Sequence, residues 1–94
     1  MIPMAFEWDP DKNIANEAKH GINFRQAEAI WDDPWRTVIE TNTIGEQRFM
    51  TTGMIADRHW TVIWTPRRGN VRIISVRRAR NEEIDKYEDT NDNG

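Results

Sequence analysis

The sequence predicts an α+β fold in which helices at both ends of the chain pack on an antiparallel sheet of four to five strands. Helical signals are confined to residues 9–33 and to the residues after 80. Between residues 35 and 77, β-branched and aromatic residues dominate and turn signals recur. The expected order of elements is β-α-α-β-β-β-β-α.

Short signals mark the first strand and the two helices that follow it. Phe6-Glu7-Trp8 is a strand candidate that ends at Asp9-Pro10, where the aspartate can cap a helix and the proline fits its first turn. This helix should run to about residue 20 and stop at Gly21, a residue suited to the left-handed conformation after a helix. Asn23 and Gln26 have the spacing of a capping box, which predicts a second helix up to residue 33.

Four further strands are predicted at residues 35–41, 48–55, 59–65 and 71–77, with turns at residues 56–58 and 66–70. In the last strand, regular alternation places Val71, Ile73 and Ser75 on one face. The other face would carry Arg72, Ile74 and Val76. Because both faces include apolar side chains, we expect a central strand.

Asn81 should cap a closing helix, since acidic residues fill the turn that follows it. Residues 1–89 are expected to form a single domain, and residues 90–94 a polar tail. A chain of this length buries a modest core, so a stable partner would help it.

Charge is distributed unevenly along the chain. The formal net charge is −3, yet residues 48–80 carry eight arginines and one acid, whereas residues 1–47 and 81–94 are both acidic. The local field, more than the net charge, steers a phosphate backbone to a protein surface. The middle of the chain is therefore a candidate nucleic-acid interface.

Composition excludes several classes of protein and site. There is no cysteine, which rules out a disulfide framework and a thiolate metal site. No apolar run approaches the roughly 20 residues of a membrane span, and residues 1–5 lack the pattern of a secretory signal, so we expect a cytoplasmic protein. The two histidines are far apart and the acids are scattered, so we expect no metal and no cofactor.

Arginines near residue 70 are the strongest candidates for phosphate contact, because guanidinium groups bind phosphate through paired hydrogen bonds and stack on bases. A solvated basic sheet edge, or docking to an acidic partner, would explain the same pattern. In a regular strand Arg72 and Arg77 would lie on opposite faces and could not both line one site, so we centre the candidate site on Arg77. The cluster consists of Arg67, Arg68, Arg72, Arg77, Arg78 and Arg80.

Other candidates for chemistry fall in three places. Lys19 and His20 close the first helix, where the imidazole could exchange a proton near neutral pH or merely favour the helix dipole. Glu46 and Arg48 could pair a proton acceptor with a phosphate anchor, or form an ordinary surface ion pair. Tyr87 could stack on a nucleotide or pack against the sheet. The five tryptophans are expected mainly in the core, with one or two available for stacking or partner binding.

In their order and spacing, these residues resemble the BrnT family of type II toxins along almost the whole chain. The matching residues are Phe6-Glu7-Trp8-Asp9-Pro10, Lys12, Ala15, Asn16, Lys19-His20-Gly21, Phe24, Asp33-Pro34, Glu46-Gln47-Arg48-Phe49, Gly53, residues 72–79, Glu83 and Tyr87-Glu88.

The resemblance implies a compact RelE-like ribonuclease that cleaves RNA and arrests growth. It also implies a BrnA-like antitoxin with a ribbon-helix-helix domain, which covers the toxin and carries the complex to operator DNA. In a metal-free reaction, the 2′-hydroxyl of RNA attacks the adjacent phosphate. A base removes its proton, cations stabilise the phosphorane, and an acid protonates the leaving 5′-oxygen.

Roles in this reaction follow from residue type and motif. Arg72 and Arg77 are expected to bind phosphate, and His20 or Glu46 to act as the base. Lys19, Arg48 or Tyr87 would assist, and RNA contacts would come from Arg67, Arg68, Arg78 and Arg80. Two other readings remain open: a non-catalytic module that holds an antitoxin or nucleic acid through its arginines, and a housekeeping RNA-binding domain.

Overall fold

The computed structural model describes residues 5–43 and 45–92, which form three α-helices, a short 3₁₀ helix and a five-stranded sheet. Residues 1–4, part of the segment tested for a secretory signal, lie outside the described residues. The α+β fold and the predicted order of elements are confirmed. The elements are β1 (Phe6–Glu7), α1 (Pro10–His20), α2 (Phe24–Ala27), the 3₁₀ helix (Glu28–Asp32), β2 (Thr37–Thr43), β3 (Glu46–Ile55), β4 (Arg58–Arg67), β5 (Asn70–Arg78) and α3 (Asn81–Asp92).

The sheet is mixed, so the prediction of a purely antiparallel sheet is wrong. Its strand order is β1-β5-β4-β3-β2, and the last four strands form the predicted antiparallel meander. The two-residue strand β1 joins the edge of the sheet in parallel with β5, with Phe6 opposite Val71. So short a strand carries no sequence signal for its partner or its direction.

Two-residue turns join β3 to β4 and β4 to β5. Ala56 and Asp57 have φ angles of 50° and 65°, and Arg68 and Gly69 have φ angles of 54° and 83°. Positive φ at both central residues is typical of a type I′ turn, whose twist matches that of the paired strands. The β4–β5 turn is thus tighter than the predicted segment 66–70.

A bulge in β5 changes which of its side chains share a face. Ile63 and Trp64 of β4 pair with Ser75 and Ile73, so Ile74 is an extra residue in β5. The face that regular alternation predicted is therefore broken at this point. Three β5 side chains join the buried core: Val71, Ile73 and Val76.

The same bulge places two arginines on one face of the sheet. Arg72 pairs with Thr65 and Arg77 with Thr61, and these threonines are four residues apart in β4 and therefore share a face. The expectation that Arg72 and Arg77 lie on opposite faces is wrong, because it assumed a regular strand.

Helices cover the two faces of the sheet unequally. On one face, α2 and the 3₁₀ helix bury Phe24, Ala27 and Ile30 completely against the sheet. The capping box of Asn23 and Gln26 is present, but α2 is α-helical for one turn only and then continues as the 3₁₀ helix. On the other face, α3 packs against β2 and β3.

Helix α1 has the ends that the sequence predicts. Asp9 Oδ1 accepts a hydrogen bond from Asp11 N at 2.8 Å, and Gly21, with φ of 75°, donates its N–H to Glu17 O at 2.9 Å. No helix among the described residues is long and apolar enough to cross a membrane.

Helix α3 begins one residue earlier than predicted. Asn81 is already helical, so Arg80 is the cap residue, and its backbone N–H donates to the Glu83 carboxylate at 2.8 Å. The helix continues to Asp92, so residues 90–92 of the predicted tail are helical, whereas residues 93 and 94 lie outside the described residues.

Candidate active site

Helix α1 lies along the edge of β5 that β1 leaves unpaired. From α1, Asn16 donates its amide to Val76 O at 2.9 Å and Ile22 O at 3.0 Å, and its Oδ1 accepts from Val76 N at 3.1 Å. The side chain is 7% exposed. The Asn16 amide pairs with the N–H and C=O of Val76 as a residue of a neighbouring strand would. These backbone groups would otherwise be buried without hydrogen-bond partners. This contact fixes the position of α1 beside the sheet.

A cleft of about 490 Å³ opens between α1 and β5. The α1 residues that line it recur at helical spacing and so form one face of the helix. Four of the nine lining residues are cationic and none is acidic. They are Lys12, Ala15, Asn16, Lys19 and His20 from α1, Ile74, Ser75 and Arg77 from β5, and Arg80.

Three of the cations in the cleft are available to an anion. The side chains of Lys12, Lys19 and Arg80 form no ion pair with any residue of the ranges 5–41 and 45–90. Unpaired positive charges close together on a concave wall raise the local concentration of anions. The cleft therefore has the electrostatics of a phosphate site.

Arg77 is held from behind by a buried carboxylate. Its Nη1 and Nη2 donate to Glu83 Oε1 and Oε2 at 2.8 and 2.9 Å, a bidentate pair in which the Glu83 side chain is 6% exposed. The Arg78 carbonyl accepts a further hydrogen bond from Nη1 at 3.2 Å. The Nε–H and one Nη2 hydrogen remain for a ligand, and the pairing with Glu83 fixes the orientation of Arg77.

This pairing shifts the pKa values of both partners. Burial alone would raise the pKa of Glu83, but hydrogen bonds from Arg77, the Arg80 backbone and Thr61, together with the charge of Arg77, lower it to about 2. The pKa of Arg77 is raised, chiefly by its hydrogen bonds to Glu83. Both groups are thus charged across the physiological range.

Tyr87 of α3 lies away from the cleft, and its side chain is buried against the loop before β2. Its hydroxyl donates to Asp33 Oδ2 at 2.7 Å, and its ring meets His59 edge-on at 5.3 Å. The same carboxylate accepts from Met54 N at 2.8 Å and Trp35 N at 2.9 Å. Burial would raise the pKa of Asp33, but these hydrogen bonds outweigh it and the pKa is lowered. Tyr87 therefore anchors α3 in the fold.

Several predicted site residues lie at the opposite end of the sheet. Residues 70 and 78 are the ends of β5, which at about 3.3 Å per residue are roughly 25 Å apart. Glu46 and Arg48 form an exposed ion pair, 3.0 Å long, at the start of β3. Arg67 and Arg68 occupy the β4–β5 turn, and Arg72 lies 3.9 Å from Glu7 on β1.

Arg78 is also outside the cleft. It pairs with Trp60 on the core side of the sheet, and its guanidinium carbon lies 5.4 Å from the centre of that indole ring. Of the predicted candidates, the fold thus brings Lys19, His20, Arg77 and Arg80 together, and places the others elsewhere.

Sequence reasoning missed three residues of this site. Lys12 and Asn16 precede Lys19 by seven and three positions, and this helical spacing was a usable signal for a shared face. The role of Glu83 had no comparable signal, because the pairing with Arg77 depends on how α3 turns back onto the sheet.

No three His, Asp or Glu side chains converge as metal ligands would within the part of the chain that the structure describes. The chain was also compared with known proteins. A family model described as the ribonuclease toxin BrnT of type II toxin–antitoxin systems matches residues 8–83. A search of curated proteins found no match to the chain.

Proposed function

Because the chain belongs to the BrnT family of ribonuclease toxins of type II toxin–antitoxin systems, we propose that it cleaves RNA in the cleft between α1 and β5. The observation that carries this proposal is the lining of the cleft, which combines four cations and a histidine with no acid among its nine residues. A phosphodiester is attracted to such a surface, and a histidine beside it can move a proton at neutral pH.

The reaction is transesterification within the RNA. The 2′-oxygen forms a bond to the adjacent phosphorus while the bond from phosphorus to the 5′-oxygen breaks, leaving a 2′,3′-cyclic phosphate and a free 5′-hydroxyl. His20 accepts the proton of the 2′-hydroxyl, and Lys19, its neighbour on α1, gives a proton to the leaving 5′-oxygen. The cations around them stabilise the charge that develops on the phosphorane.

Arg77 and Arg80 are the phosphate binders in this proposal. Arg77 presents its remaining donors in a direction fixed by Glu83, which lowers the entropy cost of binding but also neutralises part of its charge. Arg80 and Lys12 supply the unpaired charge. Glu46, Arg48 and Tyr87 have no part in the chemistry.

The proposed reaction needs no metal ion, because lining residues fill each of its roles. Proton transfer falls to His20 and Lys19, and charge stabilisation falls to the arginines. Activity in the presence of a chelator is the expected consequence.

We further propose that RNA cleavage arrests growth and that a BrnA-like ribbon-helix-helix antitoxin neutralises the toxin in the cytoplasm. An acidic segment of that antitoxin would compete for the cations that bind phosphate, since both ligands are anionic. Induction of the gene with and without its neighbouring gene tests this part, with growth and RNA integrity as the measurements.

The sharpest test of the chemistry uses the two histidines of the chain. We expect His20→Gln to lower the rate of RNA cleavage by about 10²- to 10⁴-fold, the usual contribution of a general acid–base group. The matched control His59→Gln removes the same group from a surface pair with Glu88, outside the cleft, and should change the rate by less than about threefold. Cleavage is measured on purified proteins with a chelator present.

Equal rates for His20→Gln and the wild type would remove His20 from the mechanism. If the wild type leaves RNA intact but binds the antitoxin or RNA tightly, the chain is a binding module instead.

A further inference from the structure

An aromatic pocket of about 260 Å³ lies at the end of the sheet far from the cleft. Its walls are the rings of Trp31, Phe49 and Trp64, closed on one side by Pro66. Phe49 and Trp64 stack with their centres 4.8 Å apart and 25° between the planes, and Trp31 meets Trp64 edge-on at 5.7 Å. All three rings are only half-buried. The fold therefore keeps a concave aromatic surface in contact with solvent.

Gln47 and Asn70 also line this pocket, and side-chain amides can hydrogen-bond to the edges of bases. Asn70 also lines an adjoining groove together with Arg67, Arg68 and Glu7. Within the described residues neither Arg67 nor Arg68 forms an ion pair, so both can bind a phosphate.

Glu7 adds an unsatisfied acceptor to the same groove. Its Oε1 has no hydrogen-bond partner among the described residues; it forms an ion pair with Nη1 of Arg72, which at 3.9 Å is beyond hydrogen-bonding distance. A buried carboxylate oxygen without a donor is costly. A ligand that carries an N–H group would satisfy it.

We propose that the aromatic pocket binds one unpaired nucleobase of a single-stranded RNA, while Arg67 and Arg68 hold the phosphates beside it. Single strands are recognised by stacking of splayed-out bases on aromatic rings next to basic residues. An apolar side chain of a partner protein could occupy the space between the rings, but it would contact neither the amides nor the two unpaired arginines. The inference rests on the proposed ribonuclease function and adds a second contact for its substrate.

The position of the pocket gives it a role in choosing the cleavage site. Asn70 and Val71 line it at the start of β5, and the β5 residues that line the cleft, Ile74, Ser75 and Arg77, lie roughly 10 to 23 Å farther along this strand. A strand of several nucleotides would span this distance. The base in the pocket would thus set which phosphodiester reaches His20.

The test measures binding of an RNA oligonucleotide whose 2′-hydroxyls are methylated, so that the proposed reaction cannot consume it. We expect Phe49→Leu to weaken binding by roughly 5- to 140-fold, the range for loss of one base–aromatic stack. Leucine keeps an apolar side chain in contact with Trp64, and Phe49→Tyr, which keeps the ring, should bind as the wild type does. Trp35→Leu removes an aromatic ring that is 55% exposed outside the pocket and should leave affinity unchanged.

An abasic oligonucleotide of the same length separates stacking from charge. It keeps every phosphate but has no bases, so the wild type and Phe49→Leu should bind it equally. Circular dichroism and thermal unfolding of each variant confirm that it is folded before binding is compared.

Three results would overturn the base site: no binding of the methylated RNA by the wild type, equal affinity of Phe49→Leu for it, or an equal loss on the abasic strand. A variant that binds RNA normally but binds the antitoxin weakly would make the pocket a protein anchor. The two proposals can fail separately. Phe49-dependent binding without cleavage of unmodified RNA would refute the ribonuclease proposal alone, whereas cleavage with Phe49-independent binding would refute the base site alone.

Discussion

A single buried carboxylate connects three parts of the candidate site. Glu83 binds both terminal nitrogens of Arg77, accepts the Arg80 backbone N–H at the start of α3, and accepts the hydroxyl of Thr61 on β4. An arginine that donates two hydrogen bonds to one carboxylate keeps its plane and direction. Glu83 is therefore a positioning residue for Arg77 and a stabilising residue for the fold.

The free energy of unfolding at acidic pH should show the contribution of Glu83. The pKa of Glu83 is about 2 in the folded protein against an ordinary value of 4.5. A lowered folded-state pKa means that the group stabilises the fold above pH 4.5 and that this contribution disappears as the pH falls toward 2. The interval corresponds to roughly 3 kcal/mol at about 1.4 kcal/mol per unit of pKa. Urea unfolding between pH 5 and pH 2 measures the loss.

Glu83→Gln is the control for this experiment. The variant should be less stable at pH 5, because it breaks a buried ion pair, and its stability should fall less steeply toward pH 2. The pKa of Asp33 is also lowered, so both proteins share its contribution, and the difference between their curves isolates Glu83. Parallel curves would show that Glu83 does not carry the effect.

Single residues of the site were predictable where a local pattern placed them. Lys19 and His20 were found because they close a helix whose ends the sequence marks clearly, and Arg77 because it belongs to an acid-free run. Glu83 and Tyr87 are four residues apart in α3 and so share a helix face, but a shared face does not reveal what it contacts. Their partners, Arg77 and Asp33, are set by tertiary packing.

At the scale of elements, the contact between α1 and β5 determines the shape of the cleft. Asn16 takes the place of a strand at the open edge of β5, so the helix and the sheet are joined through backbone groups of Val76. Such a contact tolerates little change, because each donor in it faces a specific acceptor.

Asn16→Asp should destabilise the protein by roughly 3–5 kcal/mol. The substitution keeps the shape of the side chain but replaces an amide that donates to Ile22 O and Val76 O with a carboxylate oxygen, in a site that is 7% exposed. Chemical denaturation measures the change. The same substitution at the exposed Asn81 should alter stability by less than about 0.5 kcal/mol, and similar losses in the two variants would contradict this account.

The elements themselves were largely predictable, and the exceptions share a physical cause. Helix α1, the meander and the final helix follow from caps, turn residues and periodicity. The parallel pairing of β1 and the bulge at Ile74 did not follow, because both depend on contacts between residues distant in sequence. The bulge places Arg72 and Arg77 on one face, so the wrong prediction that they lie on opposite faces arose from one extra residue, Ile74.

At the scale of the whole molecule, positive charge is concentrated at two ends of a protein that is net acidic. The cleft holds one group of cations, and the β4–β5 turn holds the other. Binding of RNA should therefore weaken with salt although the net charge is −3.

The salt dependence can be assigned to individual residues. For an uncleavable single-stranded RNA, the slope of log K against log salt concentration should become shallower by about 0.7 in Lys12→Gln, which removes one unpaired positive charge from the cleft. Lys86→Gln removes the same charge from the exposed surface of α3 and should leave the slope as in the wild type. Identical slopes in the two variants would place the phosphate contacts outside the cleft.

The hydrogen bonds between Asn16 and Val76 also bear on when the protein becomes active during its synthesis. They join residues 60 positions apart, and the cleft walls come from segments equally distant in the chain. Contacts of such high sequence separation form only after the intervening chain is present, and they close a large loop at an entropic cost. A nascent chain that has not yet released β5 from the ribosome has no cleft, so the RNA cleavage that we propose there cannot begin before β5 has left the ribosome.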